Sequence, residues 1–328
     1  MNNLSRRSSF TAANAYPFKI FKDKELLAAL RAGKIIPIHV QLNPTNVCNL
    51  NCSFCSCSKR EKHLALDFRV MAHLIDRLKS LGCKAVTVTG GGEPILYPNF
   101  SRMITLLRQN GINVGLVSNG EALGTVPESD LTKVTWCRIS CSDDRLLQGR
   151  LLQNIEAAVL KAPGVDWAFS YVVTEKVNTK NLSDFIAFAN AYNFTHVRVV
   201  SDLLNLEGVG SMDFVKYALA GMGADLSRVV FQGRKEYKPG QKKCLISLLK
   251  PNIGADGFIY PCCGVQYAKK DMDLDYAKSM RLGSVNEIMK IYEDQAHFDG
   301  SVCSRCYYSE YNEVLELLMS EMKHESFV

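Results

Sequence analysis

No run of about 20 apolar residues occurs in the 328-residue chain, so the sequence lacks the apolar length that spans a membrane as a helix. We also expect no secretory signal, because the basic pair near the N-terminus has no apolar run behind it. Charge is nearly balanced: 39 Lys and Arg stand against 33 Asp and Glu, a milder bias than most nucleic-acid-binding domains carry. These features predict a cytoplasmic protein, and 47% hydrophobic residues exclude a mainly disordered chain.

Cysteine, by contrast, is plentiful. A chain of this size does not need disulfides to fold, so 12 cysteines in a cytoplasmic protein indicate metal binding or catalysis. Four lie within residues 48–57, and five lie in the last third of the chain: Cys244, Cys262, Cys263, Cys303 and Cys306.

Strand-like segments alternate with helical ones over the first two thirds of the chain, which predicts an α/β fold with a parallel sheet, open or curled into a partial barrel. The loops at 43–59, 90–94 and 118–120 follow the first three strands and therefore open on one edge, where such sheets bind ligands. After about residue 205 the alternation of strands and helices stops, and a hairpin is predicted within 246–263. The six predicted strands are 36–42, 84–90, 113–118, 134–140, 167–173 and 196–200.

The first cysteine loop has the spacing Cys48-x₃-Cys52-x₂-Cys55. Structural zinc usually takes four protein ligands, whereas an iron–sulfur cube with three protein ligands keeps one iron open. Cys57 is available as a fourth ligand, which would favour zinc or a closed cluster.

This loop resembles that of the radical S-adenosylmethionine (SAM) superfamily, where Cys-x₃-Cys-x-aromatic-Cys follows the first strand of a partial (β/α)₆ TIM-like barrel. The resemblance implies that Cys48, Cys52 and Cys55, with Phe54 among them, hold a [4Fe–4S] cluster whose open iron chelates SAM. It also implies SAM contacts from a Gly-Gly-Glu turn, a turn after the third strand and the end of the fourth strand: Gly91, Gly92, Glu93, Ser118, Asn119 and Ser140.

The activity implied by this resemblance is reductive cleavage of SAM to methionine and a 5′-deoxyadenosyl radical, which abstracts a hydrogen atom from the substrate. A flavodoxin- or ferredoxin-type protein is the implied electron donor. Isomerase, epimerase and dehydrogenase outcomes all stay open. The alternatives are a non-catalytic zinc or iron–sulfur scaffold and an enzyme that uses SAM as a methyl or aminocarboxypropyl donor.

The second group of cysteines resembles the auxiliary-cluster extension called SPASM or, in its shorter form, Twitch. Four cysteines suit one auxiliary [4Fe–4S] cluster, Cys263 is a spare, and a zinc ribbon is the alternative. The predicted division is a leader with a short helix at 1–35, a radical SAM barrel at 36–210 and a Twitch-like domain at 211–328. The proposed auxiliary ligands are Cys244, Cys262, Cys303 and Cys306.

The substrate is predicted from weaker signals. Cys141, just past the fourth predicted strand, is a candidate hydrogen donor, with a buried apolar role as the alternative. Arg138 and Arg198 lie inside strands, where a buried arginine needs an anion such as the SAM carboxylate. The basic loop at 229–243, with its charges at 234–243, favours a base substituent in DNA, as in phage enzymes that act on hypermodified thymidine, and a solvated charged face is the alternative. A peptide-modifying maturase and an aminosugar dehydrogenase are the other candidates.

Overall fold

The structure is a computed structural model that describes residues 18–174, 177–204, 212–232, 238–269, 273–321 and 323. Part of the predicted leader (1–17), part of the predicted boundary (205–211) and the centre of the predicted basic loop (233–237) lie outside the described residues.

The described strands form one mixed sheet in the order β10-β9-β8-β1-β2-β3-β4-β5-β6-β7. Strands β1 to β7 run parallel to one another, and β8 pairs in parallel with β1 on the other side. Strands β8 to β10 are antiparallel neighbours. The strands are β1 His39–Leu42, β2 Ala85–Val88, β3 Asn113–Ser118, β4 Trp136–Ser142, β5 Asp166–Val173, β6 His196–Ser201, β7 Val229–Gln232, β8 Asn252–Ile253, β9 Phe258–Tyr260 and β10 Gly283–Ser284.

Amphipathic helices connect the parallel strands and cover one face of the sheet. In α2, for example, Met71, Leu74 and Leu78 are fully buried, and the Asp67 side chain caps the first turn. The helices are α1 Lys24–Arg31, α2 Phe68–Ser80, α3 Phe100–Gln109, α4 Glu128–Leu131, α5 Gly149–Lys161, α6 Thr179–Ala191, α7 Met212–Gly221, α8 Ile246–Leu249, α9 Leu274–Ser279, α10 Ile288–Glu293 and α11 Ser309–Met319. No helix among the described residues is both long and apolar enough to cross a membrane.

Alternation along β4 separates a helix-facing side from an inner side. Ile139 lies beside Leu151 of α5, around the position of Gly120, so it faces the helices. Cys137 and Cys141 share that side, whereas Trp136, Arg138 and Ser140 point to the inner side.

The predicted α/β fold of partial TIM-barrel type is confirmed, and all six predicted strands occur with shifts of up to three residues at their ends. Two details differ. Residues 229–232, predicted as part of a loop, form β7 and pair with β6 at Val197↔Val229. Residues 246–249, predicted as part of the hairpin, form α8. Because β8 pairs with β1, the hairpin continues the barrel sheet.

Candidate cluster and cofactor site

The first cysteine loop leaves the carboxyl end of β1, and its base is closed by a bridge between Thr45 and Ala65. Cys48, Cys52 and Cys55 are free thiols and half-buried. They lie close enough to act on one another: burial raises the pKa of Cys52, and the Cys55 and Cys48 thiols add to this effect. The three predicted cluster ligands therefore lie within electrostatic reach of one another on this loop, and Phe54 beside them is half-buried.

Cys57, the available fourth ligand, has other partners. Its sulfur donates to Gln266 Oε1 at 2.9 Å and lies 3.5 Å from the Gly90 carbonyl oxygen. A hydrogen bond from Cys57 lowers the pKa of Cys55, and the nearby Arg60 guanidinium adds to that effect. Arg60 also donates to the Asn46 carbonyl oxygen at 2.8 Å, so this arginine, which sequence reasoning did not single out, holds the loop together.

The Gly-Gly-Glu turn packs directly on this loop. The Gly92 and Glu93 N–H groups donate to the carbonyl oxygens of Thr45 and Val47 at 2.9 and 2.8 Å. A Cβ at Gly92 would lie 2.1 Å from the Val47 oxygen, and one at Gly91 would lie 1.9 Å from Asn46 Oδ1. The sequence suggested that these glycines admit a ligand, and the structure shows that they also admit the cysteine loop.

Replacing Gly92 with alanine is expected to push the turn away from the cysteine loop, because the added methyl group meets backbone that cannot move aside. SAM affinity should fall by about tenfold or more, the scale of one charge-assisted contact. Equilibrium dialysis with labelled SAM measures this change. Gly164→Ala is the matched control, since a Cβ there has no neighbour within 4 Å. Equal affinities in the two variants would contradict the packing argument.

Glu93 is 2% exposed and lies between the first and third loops. Its Oε2 accepts the Asn119 N–H at 2.7 Å, its Oε1 accepts the Ile95 N–H at 3.3 Å, and Ser118 also donates to it. Burial raises the pKa of this carboxyl group, and those three hydrogen bonds oppose the effect. A carboxylate has about four acceptor sites, so one remains for a ligand cation such as the SAM ammonium group.

The remaining SAM contacts predicted from the sequence meet at the same edge. Asn119 donates to Asn49 Oδ1 at 2.8 Å, which ties the turn after β3 to the cysteine loop. Arg145, which sequence reasoning missed, donates to the carbonyl oxygens of Asn119 and Ser140, each at 2.6 Å. Its charge also acts on Cys52. The only sequence signal for Arg145 is a cation soon after the end of β4.

Cys141 does not join this group. It is 1% exposed, donates weakly to the Ile139 carbonyl oxygen at 3.6 Å, and lies beside its register partner Tyr171, whose ring contacts Phe185 of α6. Its side chain therefore packs against the helices and away from the barrel interior. The proposed role as hydrogen donor does not match this position, and we leave Cys141 out of the candidate site.

Four of the five cysteines in the second group line one small cavity. Gly240 and Gly300 allow the two chain segments to approach, since a Cβ at either would meet backbone oxygen within 2.6 Å. Cys263 does not line this cavity, and its sulfur lies 3.5 Å from the Tyr308 hydroxyl. The four cysteines in the cavity wall are Cys244, Cys262, Cys303 and Cys306.

Asn312 of α11 fixes the backbone around Cys244. Its Oδ1 accepts the Leu245 N–H at 2.6 Å, and its amide group donates to the Lys243 carbonyl oxygen at 2.5 Å. Asn312→Ala is expected to leave both backbone groups without a partner and to cost about 1–3 kcal/mol of unfolding free energy. Thermal unfolding measures the loss, and the exposed Glu316→Ala on the same helix is the control. A variant as stable as wild type would show that Asn312 does not hold this segment.

The donors at both places fit iron–sulfur clusters, which cysteine thiolates hold. The buried Glu93 beside the first loop fits a SAM ammonium group. Within the described residues, no three Cys, His, Asp or Glu side chains converge closely enough to ligate a single metal ion. The match to iron–sulfur clusters therefore rests on the thiol donors, and the match to SAM rests on Glu93 beside the first cysteine loop.

Sequence comparison supports this interpretation. The profile of the Radical SAM superfamily matches residues 42–131, which contain the first cysteine loop and the two turns packed on it. An S-adenosylmethionine-dependent nucleotide dehydratase of Selenomonas ruminantium is 29% identical over 84 residues, 26% of this chain and 30% of the relative. A probable GTP 3′,8-cyclase of Pyrococcus abyssi is 27% identical over 169 residues, 47% of this chain and 54% of the relative. The chain thus spans about half or less of these relatives.

Among solved structures, SuiB of Streptococcus suis bound to its precursor peptide SuiA superposes with a TM-score of 0.59 at 14% identity, over 92% of this chain and 78% of that one. This likeness concerns the fold. We conclude that residues 42–131 are similar to the Radical SAM superfamily, as the first cysteine loop predicted, and that they lie on a sheet of the partial TIM-barrel type.

Proposed function

We propose that the chain is a radical SAM enzyme that cleaves SAM reductively and removes a hydrogen atom from its substrate. One observation carries the proposal: three half-buried thiols on the loop after β1 are locked to a buried Glu93 and to the Asn119 turn at a single edge of the sheet. That edge is where parallel α/β sheets bind ligands.

The residues divide this work among them. Cys48, Cys52 and Cys55 would hold the [4Fe–4S] cluster, and Glu93 would orient the SAM amino group. When bound and reduced, the cluster supplies one electron to the SAM sulfonium, releasing methionine and the 5′-deoxyadenosyl radical that takes the substrate hydrogen. Arg145 holds the ends of β3 and β4 beside the cluster loop. The chain's contribution is positioning and exclusion of water.

We also propose that Cys244, Cys262, Cys303 and Cys306 hold an auxiliary [4Fe–4S] cluster of the Twitch type. The support is that all four line one cavity, whereas Cys263 does not line it. Four thiolates leave no iron open, which favours electron transfer or a structural role over substrate binding. A flavodoxin- or ferredoxin-type protein of the cytoplasm would supply electrons to the first cluster.

For the substrate we propose a molecule that carries a nucleobase, either a nucleotide or modified thymidine in DNA. Both curated relatives described above act on nucleotides according to their names, which supports this class. The centre of the basic loop that favoured DNA, residues 233–237, lies outside the described residues. Of its flanking lysines, Lys238 pairs with Glu310 at 2.6 Å, and Lys242 and Lys243 are exposed.

The chemistry is tested with anaerobically reconstituted full-length protein, SAM and dithionite. Equal amounts of 5′-deoxyadenosine and methionine are expected, together with about eight irons and eight sulfides per chain for two cubes. Zinc without labile sulfide would instead identify a metal-binding scaffold, and methylated or aminocarboxypropylated product would identify another use of SAM.

The substrate class is tested in the same assay by adding nucleotides, thymidine-modified DNA, peptides and aminosugars one at a time. A nucleobase-bearing compound is expected to stimulate 5′-deoxyadenosine formation and to appear in altered form by mass spectrometry. Stimulation by peptides or aminosugars alone would overturn the proposed class while leaving the radical chemistry in place.

A further inference from the structure

A short 3-10 turn, Cys263–Tyr267, lies between the two groups of cysteines. On one side, its residues Gly264 and Val265 line the cavity that Cys262 also lines. On the other side, the Gln266 side chain contacts the first cysteine loop. The turn is therefore a wall that the two candidate cluster sites share.

Gln266 holds the end of the first cysteine loop. Its Oε1 accepts a hydrogen bond from Cys57 Sγ at 2.9 Å and one from Ser56 Oγ at 3.4 Å. These two donors come directly after Cys55, the last of the three proposed cluster ligands. The Cys57 sulfur also lies 3.5 Å from the carbonyl oxygen of Gly90, which directly precedes the Gly-Gly-Glu turn. The contacts of this glutamine thus extend to both parts of the proposed SAM site.

The other end of the turn begins at a proposed auxiliary ligand. The Cys262 sulfur accepts the Gly264 N–H at 3.2 Å and caps the turn. A cluster that holds the Cys262 sulfur would therefore also restrain the start of the turn that carries Gln266. Because less conformational freedom then remains to be lost, the contact between Gln266 and the first loop should become more persistent.

A second contact between the same parts of the chain bypasses this turn. Lys278 Nζ of α9 lies 3.3 Å from Oε2 of Glu61, which follows the cysteine loop. These side chains are 32% and 37% exposed, and exposed ion pairs contribute little to stability. Lys278→Met breaks this neighbouring contact without changing the turn, so it is the matched control for a change at Gln266.

We propose that Gln266 is a positioning residue that couples the second group of cysteines to the first. With a cluster in the second site, the Gln266 contact would hold the first cysteine loop in the conformation that binds SAM, and SAM affinity would rise. This inference rests on the proposed function for what the two groups of cysteines hold. It gives the second cluster a role in SAM binding that needs no contact between that cluster and the substrate.

The first experiment needs no cluster. Hydrogen exchange of the cluster-free full chain is followed by mass spectrometry in peptides that cover residues 48–58. Gln266→Leu is expected to raise the exchange rate there by about fivefold, the scale of one lost hydrogen bond. Lys278→Met should exchange like wild type in these peptides. Gln266→Glu keeps an acceptor oxygen and should stay closer to wild type than Gln266→Leu does.

The second experiment is a double-mutant cycle on the cluster-loaded full chain, with the SAM dissociation constant measured by equilibrium dialysis. Cys262→Ala removes a proposed auxiliary ligand and is expected to raise that constant by about fivefold or more, the lower end of common coupling between sites. In the Gln266→Leu background, Cys262→Ala should change the constant by less than about twofold, because the coupling is already lost. In the Lys278→Met background, Cys262→Ala should keep its full effect.

Three results would overturn the proposal: equal exchange of residues 48–58 in Gln266→Leu and Lys278→Met, no effect of Cys262→Ala on SAM affinity, or an effect that is undiminished in the Gln266→Leu background. If Gln266→Leu does not fold by circular dichroism, the double variant Ser56→Ala with Cys57→Ala removes both donors instead and should give the same results. A wild-type chain that binds neither iron nor SAM would contradict the proposed function, whereas the exchange experiment would still test the Gln266 contact.

Discussion

Replacing Cys52 with alanine is expected to abolish SAM cleavage and to lower the iron content from about eight to about four per chain. Cys52 is one of the three thiols on the loop after β1, and two thiolates do not hold the cluster that SAM cleavage requires. Iron analysis and quantification of 5′-deoxyadenosine measure the two effects. The second group of cysteines lies on separate segments, so its iron should remain.

Two other cysteine variants make this prediction specific. Cys57→Ala should keep as much iron as wild type, because the Cys57 thiol donates a hydrogen bond to Gln266 and is not one of the proposed cluster ligands. Cys83→Ala removes a thiol that is 7% exposed in the core, and it should also keep the iron. Loss of iron in Cys57→Ala would show that four cysteines of the loop bind metal, as a closed cluster or zinc requires.

Glu93→Gln is expected to raise the SAM dissociation constant by about 10- to 100-fold, the scale of a lost charge-assisted hydrogen bond. It should also destabilise the fold by about 1–3 kcal/mol, since an amide NH₂ would face either the Asn119 or the Ile95 N–H group. Equilibrium dialysis and chemical denaturation measure these effects. The exposed Glu128→Gln is the matched control. Wild-type SAM affinity in Glu93→Gln would exclude the carboxylate as the ammonium partner.

The same carboxyl group gives a pH dependence. Burial raises the pKa of folded Glu93 above its ordinary value of 4.5. Without SAM, the stability that this group contributes is therefore fully present below pH 4.5 and is lost as the pH rises through the raised pKa. SAM affinity should change in the opposite direction and increase over that window, because the ammonium group needs the ionised form. Both trends should disappear in Glu93→Gln, and identical pH profiles of the variant and wild type would contradict this assignment.

Local sequence was sufficient for much of the fold. Apolar residues recur at helical spacing along α2 and α3, and the ends of β2 and β3 lie within two residues of the predicted strands. The strand β7 was not predicted, because its four residues precede a basic stretch with glycines and show no distinctive period of their own. Its pairing with β6 decides its structure. Ile246–Leu249 is likewise too short to show a distinctive period, and it is helical although it adjoins a hairpin.

By itself, the sequence determined which atoms are available for chemistry: the thiols, the carboxylate of Glu93 and the order of strands that places their loops at one edge. Residue types, their spacing and the order of the elements along the chain can all be read from the sequence. Only the tertiary structure decided that Cys141 faces the helices and that Arg145 joins the ends of β3 and β4. Those facts depend on the direction of side chains from segments far apart in the chain, which packing fixes and no single segment encodes.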